Sequence, residues 1–231
     1  MTGPMPEEDA TPGHKPPGQS TERIGAFVDA VLAIAMTLLV LDIPRPDSAM
    51  FSVEPGRSKQ QAFVNLWHFL QQRHQVLYAY VLAFIILWVV WRQHHELFDQ
   101  FDRITPAMVR WHFPLLLFAA FLPYSTSVLG SYSDNPLGAL LYGGNVFVIL
   151  FCRCLIQREA LREGVLIPGA DAERFRRAVA VSWAVTGFWL FTLAFFWWAP
   201  WSEIPWIFTS LVAAGANRFV NRRPAAADPA T

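Results

Sequence analysis

The chain is too rich in apolar residues to be an ordinary soluble domain, since 54% of its 231 residues are apolar and only 16% are charged. Its 18 basic and 18 acidic residues cancel, and the basic residues lie at the ends of apolar runs rather than in one patch. This composition predicts a polytopic membrane protein and excludes a basic nucleic-acid-binding domain.

The first predicted span, residues 23–43, keeps a charge inside an apolar helix. Residues 1–20 precede it, and their Pro, Gly and acidic residues predict a disordered tail. About 20 mostly apolar residues can cross the hydrocarbon core as a helix. A carboxylate at the centre of that core costs about 3 kcal/mol, so we expect Asp29 to face protein or water.

The same helix carries an aliphatic stripe. At about 100° per residue, Ile34, Leu38 and Leu41 lie on one side, Thr37 flanks them, and Asp29 points almost the opposite way. A stripe of this kind is more often part of a hydrophobic core than the lining of a pore.

The rest of the chain predicts one amphipathic helix and five further spans. Phe63, Trp67 and Leu70 recur at helical spacing against polar residues, which indicates a helix over about 58–75 at the outer membrane surface or against other outer loops. The further spans are 76–91, 107–130, 137–155, 175–198 and 204–219. We therefore expect an all-α, six-span membrane domain over 21–223, with a second disordered tail at 224–231.

The orientation follows from the basic residues. Under the six-span interpretation, 14 of the 18 Lys and Arg residues lie on the face that carries both termini. Because basic residues are enriched in cytoplasmic segments, we expect both termini in the cytoplasm and a multi-pass protein of the cell membrane.

No pattern indicates an enzyme, a cofactor or a metal. The sequence has no Ser/His/Asp arrangement, glycine-rich phosphate loop or paired carboxylates that stand out. His94 and His95 are adjacent, so they do not share a helix face and make a poor metal site. A histidine at this end of the second span, near the negative end of the helix dipole, can instead pair with Asp29.

Three segments resemble a known family. Arg23, Phe27 and Asp29 match the RxxxF-S-D signature of the endolysosomal potassium-channel family, the family of transmembrane protein 175. The segments HHELF, which begins at His94, and FLPYSTSVLG, residues 121–130, resemble motifs of its bacterial branch at similar spacing. One residue departs from the signature, because Val28 stands where the family has serine.

The resemblance implies a fold and an assembly. A single copy of one helix cannot enclose a pore, so a pore built from the first helix requires rotational symmetry. The family implies a homotetramer with that helix at the axis and puts Ile34, Leu38 and Leu41 on its pore-lining positions. It also implies a structural network around the signature residues; its members here are Arg23, Phe27, Asp29, His94 and His95.

The implied function is a potassium-preferring cation channel with a hydrophobic constriction. The first helix has no glycine-rich filter to supply backbone oxygens, so the cation that loses its hydration water most easily should pass best. Thr37 is the only hydroxyl near the stripe and is expected to modulate selectivity, unless it bonds to a carbonyl of its own helix. The alternatives are a secondary transporter, or a proton or cation leak pathway, in the same membrane.

Overall fold

A computed structural model describes residues 21–47, 58–198 and 201–222 of the chain, and the two tails predicted to be disordered, 1–20 and 224–231, lie outside these ranges. Within the ranges the chain is helical, apart from an isolated bridge between Phe101 and Leu166. The expectation of an all-α protein is confirmed for this part of the chain.

The helices in chain order have the following bounds. They are α1 (Thr21–Leu38, continued by a 3₁₀ turn, Leu39–Asp42), α2 (Lys59–Gln72), α3 (His74–Phe98), α4 (Pro106–Ser131), α5 (Pro136–Glu163), α6 (Ala172–Leu193), α7 (Ile204–Ile207) and α8 (Thr209–Arg222). Two more 3₁₀ turns, Phe196–Trp198 and Trp201–Glu203, lie between α6 and α7.

Side chains fix several of these helix ends. Ser58 and Gln61 form a capping box at the start of α2, each accepting a hydrogen bond from the other's backbone N–H. The side chains of Thr105 and Asp171 cap α4 and α6 in the same position. Gly164 ends α5 with a φ of 59°, a left-handed conformation that a residue with a Cβ seldom adopts.

Four elements in the described ranges are long and apolar enough to cross a membrane. They are α1 with its 3₁₀ turn, α3, α4 and α5, with 22, 25, 26 and 28 residues. They correspond to the first four predicted spans. The other two differ from prediction: α6 ends at Leu193 rather than near Trp198, and the expected sixth span is divided into α7 and α8 at Phe208.

The packing order leaves α1 at one edge. The most buried span, α5, packs against α4 and α6, while α1 packs against α3 and α4, and α8 lies along α6. The core contains Leu32, Leu87, Leu122, Ile149 and Trp189, all almost fully buried. Because α1 meets the bundle with one face, its other face is left uncovered by the chain itself.

Candidate functional site

The two faces of α1 differ sharply in exposure. Val28, Leu32, Ala35 and Leu39 lie against the bundle and expose 2% of their surface or less. The predicted stripe lies on the other face, where Ile34, Leu38 and Leu41 are 58%, 41% and 62% exposed. The sequence left open whether this stripe belongs to the hydrophobic core. In the single chain it does not, because its aliphatic side chains are exposed.

Thr37 makes the local hydrogen bond that is the alternative to a role in selectivity. Its Oγ1 donates to the carbonyl oxygen of Ile34 at 2.8 Å, a common arrangement for threonine within a helix. The bond uses the hydroxyl hydrogen and leaves the oxygen with acceptor capacity. The Thr37 oxygen can therefore still accept a further hydrogen bond or contact a cation.

Asp29 pairs with His95. Asp29 Oδ2 lies 3.3 Å from His95 Nδ1, and the His95 ring stacks on Trp91 at 5.7 Å between centroids. The two paired side chains are 33% and 55% exposed. The pair is therefore only partly buried in the single chain, because the chain does not cover the His95 side chain.

His94 takes no part in that pair. It is 1% exposed and its ring packs against Phe98 and His112, with centroids 4.8 and 5.2 Å away. Neither ring nitrogen has a hydrogen-bond partner among the described residues. The expected network therefore includes His95 and not His94 around Asp29, since adjacent residues on a helix point about 100° apart.

His112 is a neighbour of His94 that the sequence did not indicate. It is buried on α4, and its Nδ1 lies 2.8 Å from the carbonyl oxygen of Met108. That bond is consistent with a proton on Nδ1, which would leave Nε2 as an acceptor. The only signal in the sequence was a histidine one turn and a half into an apolar span, a position where ionisable residues usually have a role.

Arg23 and Phe27 line a groove between α1 and α4. The groove has a volume of about 680 Å³, and its walls also include Val28, His112 and Phe113. In the described part of the chain Arg23 forms no ion pair with Asp29. The five residues of the expected network thus divide into three local arrangements: the Asp29–His95 pair, the buried His94 ring and the groove of Arg23 and Phe27.

Val28 suits its position. It is fully buried and borders the same groove. A buried serine hydroxyl would need a hydrogen-bond partner at this point, whereas valine contributes apolar contact without one.

The described residues also contain no group of three or more His, Cys, Asp or Glu side chains that could hold a metal ion.

Comparison with known proteins identifies the family. Residues 23–123 match the family described as the endosomal/lysosomal potassium channel TMEM175. A protein of Chamaesiphon minutus, named as a potassium channel, is 32% identical over 162 residues, which cover 68% of this chain and 74% of that protein. The chain belongs to the TMEM175 family.

Other TMEM175 relatives align over smaller shares of their length. A protein of Streptomyces collinus named as a potassium channel is 34% identical over 112 residues, 48% of each chain. The human endosomal/lysosomal proton channel TMEM175 is 28% identical over 168 residues, 68% of this chain but 29% of the human protein. The chain therefore spans about half of the Streptomyces relative and less than a third of the human one.

The fold agrees with a solved member. The crystal structure of a lysosomal potassium-selective channel TMEM175 homolog from Chamaesiphon minutus superposes with a TM-score of 0.63 at 24% identity, over 87% of this chain and 96% of that one. The two chains share a fold. Membership of this family of ion channels also confirms the expectation that the chain is not an enzyme.

Proposed function

We propose that this chain forms a cation channel that prefers potassium, as a homotetramer with α1 at its axis. The observation that carries the proposal is the uncovered stripe of Ile34, Leu38 and Leu41, which are exposed on the single chain although they are large and aliphatic. An exposed apolar surface of this kind on a membrane protein contacts either lipid or another subunit. Four copies around an axis would bring the stripes together and make a hydrophobic constriction.

The proposed subunit has six crossings, and its last two use α6 and the return segment, which we define as residues 201–222. At one end of α6, Trp206 Nε1 donates to Thr192 Oγ1 at 3.0 Å. At the other end, Asp171 and Ala178 share a groove with Asn217. The return segment thus runs antiparallel to α6 along most of its length. Its helix α8 has 14 residues and is therefore only about 21 Å long.

Both termini then lie in the cytoplasm, and α2 lies at the outer membrane surface. Its uncovered face carries Phe63, Leu66, Trp67 and Leu70, whereas Ala62 is its buried residue. A helix with this pattern, joined directly to a span, suits the boundary between headgroups and acyl chains.

Selectivity in this design comes from dehydration rather than from a ring of backbone carbonyls. An ion passing Ile34 finds no polar group on the stripe, and Thr37 offers the nearest oxygen. Potassium, which is more easily dehydrated than sodium, should pass better by a moderate ratio. A proton-conducting pathway is the second candidate, because the human relative is named as a proton channel.

The experiment is ion flux through the purified protein in liposomes, with Ile34→Asn as the test variant and Ile85→Asn as its matched control. Ile85 is 52% exposed on α3, close to the 58% of Ile34 on α1, so the two variants make the same polar change on different helices. We expect Ile34→Asn to raise conductance and move the bi-ionic reversal potential of potassium against sodium towards zero, and Ile85→Asn to leave both unchanged.

Two outcomes would contradict the proposal. If Ile34→Asn leaves conductance and reversal potential at their original values, the pore is not lined by this stripe. If the current follows a proton gradient and ignores a potassium gradient, the second candidate is correct. If both variants lose current, the fraction of each that assembles shows whether the loss comes from assembly or from conduction.

A further inference from the structure

The groove between α1 and α4 has the size of a ligand site and the depth of one membrane leaflet. Its volume of about 680 Å³ lies within the range of about 300–1,000 Å³ that is typical of ligand pockets. On α1 it extends from Arg23 to Val31, a distance of about 12 Å along the helix axis. Half of a hydrocarbon core of about 30 Å is about 15 Å, so the groove spans most of one leaflet.

The walls of the groove suit an acyl chain. Apart from Arg23 and the buried His112, the residues that line it are apolar. Phe27 on α1 and Phe113 on α4 are 61% and 72% exposed. The groove therefore opens sideways on the surface of the single chain, where a hydrocarbon chain can enter it between the two helices.

A cation lies at one end of these apolar walls. Arg23 is in the first turn of α1, and none of the ion pairs among the described residues includes it. Because α1, α3 and α4 are consecutive spans, α1 and α4 run in the same direction, and both walls begin at the same membrane face. A guanidinium at this level can bind a phosphate group through two parallel hydrogen bonds.

We propose that this groove binds one anionic phospholipid of the leaflet in which α1 begins. The phosphate pairs with Arg23, and an acyl chain lies along Phe27, Phe113 and Leu117. A headgroup with a net negative charge is favoured, because the described lining residues supply a cation and no carboxylate. The site depends on how α1 packs against α4 and not on the proposed permeant ion.

The test counts bound lipids by native mass spectrometry of the full-length protein, released into detergent from nanodiscs of phosphatidylglycerol and phosphatidylcholine in equal parts. We expect each chain to retain one phosphatidylglycerol. Arg23→Gln should weaken its binding by about tenfold or more, because hydrogen bonds to a charged group are lost. The control is Arg92→Gln, which removes an exposed arginine that pairs with Glu96 outside the groove, and it should leave the binding unchanged.

A second pair of variants tests the apolar wall. Leu117 lies in the groove on α4 and Leu190 lies on α6, and both are 55% exposed. Leu117→Trp fills the groove with a larger side chain and should displace the lipid. Leu190→Trp makes the same change elsewhere on the surface and should retain it.

The same spectra separate a lipid from a second copy of the chain, the other candidate for this groove because α1 lies at the axis of the proposed tetramer. The proposal is wrong if phosphatidylglycerol is retained no better than phosphatidylcholine, or if Arg23→Gln and Leu117→Trp retain as much lipid as the original protein. It is also wrong if Arg23→Gln loses oligomer while each chain keeps its lipid, since the groove would then hold a neighbouring subunit.

The lipid site and the proposed tetramer can fail independently. A monomer that retains one phosphatidylglycerol would contradict the tetramer and support the lipid site. If Arg23→Gln fails to fold, the comparison of Leu117→Trp with Leu190→Trp decides, and equal retention in these two variants would refute the proposal.

Discussion

The Asp29–His95 pair can be tested against a core residue of the same helix. The variants are Asp29→Asn, His95→Gln and both together, with Leu32→Ala as the comparison. Leu32 lies one turn from Asp29 and is fully buried, so the two positions share a helix and differ in environment. Asparagine keeps the size of aspartate and removes its charge.

The structure sets the expected magnitudes. At 3.3 Å and with side chains 33% and 55% exposed, the pair falls in the class whose measured coupling is about 0.2–1 kcal/mol. A pair buried from solvent would instead cost about 3–5 kcal/mol when one partner is removed. Leu32→Ala deletes buried methyl groups and should cost about 2–5 kcal/mol. Asp29→Asn should therefore destabilise the fold much less than Leu32→Ala.

The assay is denaturant unfolding in detergent micelles, followed by circular dichroism, with the coupling energy taken from the double-mutant cycle. We expect a coupling of about 1 kcal/mol or less. A coupling above about 2 kcal/mol, or an Asp29→Asn effect as large as that of Leu32→Ala, would refute the reasoning. It would mean that neighbouring subunits or lipid desolvate the pair, which the single chain does not do.

Two further predictions follow from other parts of the molecule. Thr37→Ala should reduce discrimination between potassium and sodium in bi-ionic reversal potentials, and an unchanged ratio would mean that its hydroxyl serves only the Ile34 carbonyl. A cysteine at Tyr132 should react with an impermeant reagent outside intact cells and one at Pro168 should not; the reverse pattern would overturn the orientation.

The family and the first four spans could be predicted from the sequence because both depend on local information. A run of apolar residues needs the same length to cross a bilayer whatever its neighbours are, and a signature such as Arg23, Phe27 and Asp29 is read without knowing the fold. The last two spans were harder to predict, because α6 begins with several charged residues and the return segment is short and interrupted at Phe208. The form of the return segment depends on its packing against α6 and not on hydropathy.

Only the tertiary structure decided which side chains meet. The stripe of Ile34, Leu38 and Leu41 could have been core or surface, and the rotation of α1 against α3 and α4 left it uncovered. The same rotation places Asp29 next to His95, while His94 points into the bundle. The sequence places these histidines side by side, but a helix separates them by about 100°. Which of the two faces Asp29 is therefore a property of how the helices pack.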